Sequence, residues 1–287
     1  MISDCADAIR ADLLSHRIGI GARLPHVVDL LTTQAPIGFV ELLADNHLDT
    51  GSPSHDLALA LAEAYPCTIH CVGMSLGSPD PLDRAYLAKV RQLGERTGAR
   101  VVSDHCAFTR FHGREYHDLL PLPHTTETLN HLCARIDEAQ SILGRTLAVE
   151  NGTRYLAQPK NAMPEAEFLS AVCERTGCRL ILDINNAYVN QVNLDESAPD
   201  LISHIPESRV AYVHIAGHQR QGQRLLDTHG APVADDVFRL LRKFLDHAPN
   251  VPVCLEWDRN LPNFTDLLAE VRRTETALNG QDVYRAA

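Results

Sequence analysis

The sequence predicts an α/β fold, specifically a (β/α)8 TIM barrel, formed by a single domain over residues 1–287. The length of 287 residues suits this fold, which typically needs about 250 residues. Short apolar segments alternate along the chain with longer segments of helical periodicity, and no Pro/Gly/Ser-rich linker divides them. Because crossovers between parallel strands are right-handed, this alternation favours a closed barrel.

The predicted strands are rich in β-branched and aliphatic residues, as expected for strands that are buried on both faces. In chain order they are Arg17–Gly21, Gly38–Leu43, Cys67–Val72, Arg100–Asp104, Thr146–Glu150, Arg179–Asp183, Val210–His214 and Val251–Glu256. Helical spacing and capping signals predict the helices Pro53–Glu63, Asp83–Thr97, Thr125–Leu143, Glu165–Thr176 and Ala234–Ala248. The segment Ala107–Leu120, in a loop that follows a strand, is predicted to be a hairpin turning at His112–Gly113.

Composition excludes two classes of partner. The formal net charge is −11, with 37 acidic residues against 26 Lys and Arg, whereas a nucleic-acid-binding protein presents a basic face. No apolar run approaches the roughly 20 residues that span a bilayer. The N-terminal segment MISDCADAIRADLL has no apolar core of a secretory signal. We therefore expect a cytoplasmic protein that binds neither nucleic acid nor membranes.

The cysteines and histidines point to different roles. The eight cysteines contain no CxxC pair, and in a cytosolic chain of this size they are expected to stay reduced. A zinc site made only of thiolates is therefore not expected. The 15 histidines are more informative, because imidazole is the commonest metal ligand near neutral pH.

Polar side chains gather at the predicted C-terminal ends of the strands, where TIM-barrel active sites lie. They are Glu41, His70, Asp104, His105, Glu150, Asn151, Asp183, Asn186, His214 and Glu256, with Asp227 and His229 in a following loop. Any one alone is more often a cap or a hydrogen-bonding group. Together they would be costly to bury unless cations neutralised the carboxylates. The pattern predicts two or three metal ions, and mixed His and carboxylate ligands suit Zn, Fe or Mn.

Several motifs occur in order between residues 19 and 262, among them GIGARLPH, VELLADNHL, SLGS, LDINN, HIAGH and DTHGAP. With these motifs the chain resembles the multinuclear non-haem iron-dependent oxidative enzymes. The resemblance implies two or three irons of mixed Fe(II)/Fe(III) valence, with O2 as co-substrate. It also implies that a cysteine of a ribosomally synthesised precursor peptide is oxidised, with a small leader-recognition protein as partner. Methanobactin maturation and thiaglutamate formation are two such pathways. We place the chain nearer the second, which removes the β-carbon of a C-terminal cysteine.

The barrel also resembles those of endonuclease IV and the xylose isomerase-like proteins. The ligand order of the trinuclear zinc endonucleases falls here on His70, His105, Glu150, Asp183, Asn186, His214, Asp227, His229 and Glu256. Asn186 replaces a histidine of that pattern, and this replacement and the acidic balance tell against nuclease activity. A zinc-dependent hydrolase or endonuclease remains the alternative function. A metal-binding scaffold without enzymatic activity is a third hypothesis.

The resemblance implies roles for individual residues. His70, His105 and Glu150 would hold one iron, and Glu150 would bridge to a second iron held by Asp183, His214 and Glu256. Asn186, Asp227 and His229 would hold a third ion or support the other ligands; for the last two, a hydrogen-bonded pair in the loop is the alternative. The predicted catalytic residues are Asp104, Asn151 and Tyr188. The predicted substrate contacts are Arg23, His26, Asn46, His47 and Arg154, with solvated surface charge or loop capping as the alternative.

Overall fold

The computed structural model describes residues 18–160 and 162–279, and over these residues the parallel strands close into an eight-stranded barrel. Its strands are β1 (Ile18–Ala22), β2 (Val40–Leu43), β3 (Cys67–His70), β4 (Val102–His105), β7 (Leu147–Glu150), β8 (Arg179–Asp183), β9 (Val210–Ala216) and β12 (Val253–Glu256). Each strand pairs with its neighbour in this order, and β12 pairs with β1 to close the ring. The predicted TIM barrel is confirmed. Arg17, the N-terminal segment MISDCADAIRADLL and Cys5 lie outside the described residues.

The described helices alternate with the barrel strands. They are α1 (Leu24–Thr33), α2 (Pro53–Ala64), α3 (Arg84–Thr97), α4 (Thr126–Leu143), α5 (Glu165–Thr176), α6 (Ile184–Leu194), α7 (Ala198–His204), α8 (Asp235–Leu245) and α9 (Phe264–Leu278). The five predicted helices correspond to α2, α3, α4, α5 and α8. The side chains of Asp83 and Thr125 accept hydrogen bonds from the first turns of α3 and α4, so each helix begins one residue after its predicted start.

Helices α1, α6, α7 and α9 lie outside the predicted set. Helix α6 contains several asparagines, which are poor helix formers and favour turns. It begins directly after β8, where Asp183 is the N-cap and its side chain accepts a hydrogen bond of 2.7 Å from the backbone amide of Asn186. Asn185, Asn186 and Asn190 are buried. Packing against the barrel therefore overrides the low helix propensity of this segment.

Two hairpins stand on loops after barrel strands. The first, β5 (Ala107–Phe111) and β6 (Arg114–Pro121), confirms the predicted turn: His112 and Gly113 both have left-handed φ angles, of 49° and 70°. The second, β10 (Gln219–Gln221) and β11 (Arg224–Leu226), is not predicted from the sequence. Its strands are only three residues long, too short for an alternating pattern to be recognised.

The barrel interior is layered because side chains two residues apart on a strand point to the same side. Phe39, Ala148, Ile181, Tyr212 and Cys254 form a buried apolar cluster. Two residues further along the same strands, the buried side chains are Glu41, Glu150, Asp183, His214 and Glu256. The period of two therefore places a charged layer directly above an apolar one, towards the C-terminal ends of the strands.

No disulfide joins the cysteines of the described residues. All seven described cysteines are free, and six of them are buried. The Cys178 thiol donates a hydrogen bond to the Cys173 sulfur at 3.9 Å. Across residues 18–160 and 162–279, the structure contains no helix with the length and apolar character needed to cross a membrane.

Substitution of Gly217 is predicted to destabilise the barrel. This residue follows β9, and a Cβ atom on it would lie 1.9 Å from the backbone oxygen of Ala231. Because backbone must move to relieve this overlap, we expect Gly217→Ala to lower the free energy of unfolding by about 3 kcal/mol. Gly152→Ala is the control, since its Cβ would meet nothing within 4 Å. Urea unfolding curves measure both; equal midpoints for the two variants would contradict the prediction.

His124 predicts a loss of stability in acid. Its buried ring stacks on Phe168 with centroids 4.6 Å apart. Burial and the charge of Arg154 lower the pKa of His124 from 6.5 to about 3. The folded state therefore favours the neutral ring. The contribution of His124 to the free energy of unfolding is present above pH 6.5 and is lost as the pH falls. Between pH 6.5 and pH 5 this loss amounts to about 2 kcal/mol.

Unfolding free energies of the wild type and of His124→Phe, measured across this pH range, test the prediction. We expect the curve of the variant to be flatter by that amount, because the phenyl ring keeps the stacking and does not titrate. His117→Gln, at an exposed position on β6, controls for the removal of an imidazole. Parallel curves for the wild type and His124→Phe would show that His124 does not carry the effect.

Candidate metal centre

His70, His105 and Glu150 meet at the C-terminal ends of β3, β4 and β7. The Nε2 atoms of the two histidines are 3.3 Å apart, and they lie 3.3 Å and 3.5 Å from Glu150 Oε2. On its other side the His70 ring forms a hydrogen bond of 2.8 Å through Nδ1 with the Ser103 hydroxyl. That contact fixes the ring so that Nε2 points at the carboxylate.

A second group shares Glu150 with the first. The ligand atoms of Glu150, Asp183, His214 and Glu256 lie within 4.8 Å of one another. His214 Nδ1 is 3.3 Å from Glu150 Oε2 and 3.1 Å from Glu256 Oε2. Three imidazoles thus approach the same oxygen of Glu150, which makes this carboxylate the centre of the cluster.

Many polar atoms at this place are buried and lack a hydrogen-bond partner among the described residues. They are Glu150 Oε2, Asp183 Oδ2, His214 Nδ1 and Asn186 Oδ1. Buried polar atoms are nearly always satisfied in proteins, and leaving them unpaired is costly. Their convergence, with nitrogen and carboxylate oxygen as the donor atoms, fits transition-metal ions.

Three carboxylates of this layer, Glu150, Asp183 and Glu256, have strongly perturbed pKa values. Burial disfavours the charged form of Glu150, but the adjacent His105 and His214 outweigh it and lower the pKa to about 2. Burial, together with the charge of Glu150, raises the pKa of Asp183 well above its usual range. The negative charges of these neighbouring carboxylates repel each other, and a cation bound between them would relieve this repulsion.

The residues predicted for the third position are only partly brought together. His229 lies 2.9 Å from Asp227 through Nε2, and 3.2 Å from Asp258 through Nδ1. In the described chain, the side-chain amide of Asn186 does not donate to Asp227 or His229. It donates instead to Glu150 Oε1 at 3.4 Å and to the Asn151 backbone oxygen at 2.9 Å. Asp258, outside the predicted ligand set, forms a possible metal-binding group with His229 and Glu256. The sequence feature that could have identified Asp258 as a ligand is its position two residues after Glu256, at the end of a predicted strand.

The three predicted catalytic residues occupy different positions. Asp104 accepts hydrogen bonds from the backbone amides of His105 and Met74, at 2.6 Å and 2.8 Å, and so holds the end of β4. Asn151 forms two hydrogen bonds with the Asp183 backbone, of 2.8 Å and 3.0 Å, and ties β7 to β8. Tyr188 does not contact the ends of these strands in the same way: its hydroxyl donates to Asp236 of α8 at 3.0 Å.

Of the predicted substrate contacts, Arg23 and Arg154 line the cavity above the cluster. Arg23 donates to Asp258 at 2.7 Å and to Glu256 at 3.4 Å. Arg154 is buried, and it donates to Glu196 at 2.7 Å and to Glu165 at 3.0 Å. Both guanidinium groups are therefore already paired with carboxylates of the protein.

His26, Asn46 and His47 do not line this cavity among the described residues. His26 Nε2 contacts the backbone oxygen of Pro262 at 2.8 Å, and His47 Nδ1 contacts that of Ser54 at 2.8 Å. Asn46 is exposed in the 3-10 turn Ala44–Asn46. Loop capping, the alternative for His47, therefore agrees better with the position of that residue, whereas solvated surface charge, the alternative for His26, does not agree with its burial.

The cavity at the mouth of the barrel has a volume of about 420 Å³. The hairpin β5–β6 contributes one wall through Asp118, Leu119, Leu120 and Pro121, and Leu122 and Leu169 extend the apolar surface. The side chains of His70, His105, Glu150 and Glu256 lie on another wall. A cavity of this kind, mostly apolar with convergent polar groups, is typical of a small-molecule or side-chain binding site.

Comparisons of structure place the chain among barrels of the same fold. It superposes on endonuclease IV from Thermus thermophilus with a TM-score of 0.62 and 21% identity, covering 92% of this chain and 99% of that one. A D-psicose 3-epimerase crystallised in the presence of D-fructose gives a TM-score of 0.55 at 13% identity, with 92% and 97% covered. At these identities the likeness establishes the fold alone.

Comparisons of sequence go further. A UPF0276 protein of Acaryochloris marina is 40% identical over 260 residues, covering 91% of this chain and 94% of its own length. A UPF0276 protein of Chromobacterium violaceum is 36% identical over 264 residues, with 92% and 95% covered. The family model described as RiPP precursor modification enzyme MbnB/TglH/ChrH matches residues 17–279. RiPPs are ribosomally synthesised peptides that are modified after translation. The chain therefore belongs to the MbnB/TglH/ChrH family of RiPP precursor modification enzymes.

Proposed function

We propose that this protein is an O2-dependent multinuclear iron enzyme that oxidises a cysteine of a ribosomal precursor peptide. Family membership supports a peptide substrate. The observation that carries the metal centre is the convergence of His70, His105 and His214 on a single oxygen of Glu150, at 3.3–3.5 Å and without a hydrogen-bond partner for that oxygen. In 3-thiaglutamate-type biosynthesis, the reaction would remove the cysteine β-carbon.

Two ions sharing Glu150 account for the cluster. His70, His105 and Glu150 would hold one ion, and Glu150, Asp183, His214 and Glu256 would hold the other. A shared carboxylate is the usual means of holding two ions at the spacing of a multimetal site. Iron bound there would supply redox chemistry with O2, which zinc cannot provide.

The residues around the cluster would prepare the site for a peptide. Leu119, Leu120 and Leu122 line the cavity beside the cluster and would exclude water around a bound cysteine side chain. Asp104 and Asn151 fix the ends of β4, β7 and β8, and so hold His105, Glu150 and Asp183 in place. A small leader-recognition partner belongs to the same proposal and would present the peptide at this mouth.

Iron and zinc should give opposite results with the same protein. We expect enzyme loaded anaerobically with Fe(II), then mixed with a cysteine-containing precursor peptide and O2, to consume O2 and change the mass of the peptide. Zn(II)-loaded enzyme should do neither, because zinc has no accessible redox change. An O2 electrode and mass spectrometry follow the two reactions. Equal turnover with zinc, or peptide hydrolysis without O2, would favour the zinc hydrolase instead.

Glu150→Gln is predicted to remove at least one ion, because this carboxylate belongs to both ligand groups. Since the neutral amide does not balance two cations, we also expect activity to fall more than about 100-fold. Elemental analysis after anaerobic reconstitution gives the ion count. Glu174→Gln, at an exposed position on α5 and outside both groups, is the matched control. A Glu150→Gln protein with the wild-type metal content would rule out the shared-carboxylate arrangement.

A further inference from the structure

Glu41 is a buried carboxylate that the proposed ligand groups do not use. It stands on β2, and its side chain is 1% exposed. Three side chains contact it from the opposite part of the barrel interior: Tyr212, His214 and Cys254. A buried carboxylate is costly to desolvate, so its presence in the same layer as the cluster calls for a specific role.

Two contacts converge on one oxygen of Glu41. The Tyr212 hydroxyl donates to Oε2, and His214 Nε2 lies 3.2 Å from the same atom. The Cys254 thiol donates to the other oxygen, Oε1, at 3.9 Å. Because an ionised carboxylate only accepts hydrogen bonds, His214 must carry a proton on Nε2 for this contact to be favourable.

The opposite nitrogen of the same ring faces the proposed metal site. His214 Nδ1 lies 3.3 Å from Glu150 and 3.1 Å from Glu256, and it has no hydrogen-bond partner among the described residues. In the neutral ring with its proton on Nε2, Nδ1 presents a lone pair towards two carboxylates. That arrangement is repulsive unless a cation lies between these groups.

We propose that Glu41 is a positioning residue, which holds His214 in the tautomer that directs the Nδ1 lone pair at the metal. This inference rests on the proposed metal centre and adds to it a carboxylate–histidine–metal relay from β2 through β9. Metal-bound histidines commonly donate their second N–H to a carboxylate, and loss of that partner typically weakens metal binding about 10- to 100-fold.

Cobalt(II) alone is a suitable probe, because its absorption reports ligand type and its titration gives both affinity and ion count. We expect Glu41→Leu to bind the ion held by His214 about 10- to 100-fold more weakly than the wild type. In Glu41→Gln the amide oxygen can still accept from Nε2, so the affinity should return to within about threefold of the wild type. Urea unfolding of each apoprotein separates this effect from a change in fold stability.

Tyr212→Phe is the matched control. It removes the other donor to the same oxygen but leaves the carboxylate in contact with His214, so cobalt affinity should change less than about threefold. Equal affinity of Glu41→Leu and the wild type would overturn the proposal. So would an equal loss in Tyr212→Phe, or a near-ultraviolet thiolate-to-cobalt band, which would make Glu41, His214 and Cys254 themselves the ligands.

One measurement needs no variant at Glu41. In ¹⁵N-histidine-labelled, Zn(II)-loaded wild-type protein, NMR should find the His214 proton on Nε2, with the resonance assigned from a His214→Gln sample. A proton on Nδ1 would overturn the relay. If the wild type binds neither cobalt nor zinc, the metal centre itself fails, whereas failure of the Glu41 relay leaves wild-type binding intact.

Discussion

The structure depends on how several buried carboxylates and imidazoles are kept together in one layer of the barrel. Glu150, Asp183 and Glu256 come from three different strands, and each is buried with unlike or like charges as neighbours. Desolvation of so many ionisable groups is recovered only when opposite charges, protons or metal ions balance them. If cations bind in this layer, as proposed above, their binding would be thermodynamically linked to folding of the barrel.

Much of the fold was predictable because the barrel repeats one local pattern. The strands are rich in β-branched and aliphatic residues, and every second side chain of a strand points into the barrel. The starts of helices α3 and α4 are marked in the sequence by the N-cap residues Asp83 and Thr125. Helix α6 was not predictable in this way, because its buried asparagines gain their stability from contacts with distant strands. The short hairpin β10–β11 has too few residues to show a pattern at all.

The candidate site likewise contains residues that the sequence pattern predicts and contacts that it does not predict. His70, His105, Glu150, Asp183, His214 and Glu256 lie at or near the ends of barrel strands, so their convergence follows from topology alone. Their neighbours were harder to assign, because a contact such as that of His26 with Pro262, or of Asp258 with His229, joins loops from different parts of the chain. The partner of Asn186 likewise depends on the start of α6, which the sequence pattern does not reveal.

The apolar cluster beneath the charged layer limits how ligands can reach that layer. Phe39, Ile181, Tyr212 and Cys254 fill the barrel below Glu41 and His214, and all are essentially inaccessible. In the described chain, ions, gas molecules and a peptide side chain would then share the cavity beside the β5–β6 hairpin as their entrance. Under the proposed function, a peptide bound in this cavity would block the exchange of metal ions below it. Metal ions would then have to bind before the peptide, and peptide bound to the apoprotein would leave the metal centre incomplete.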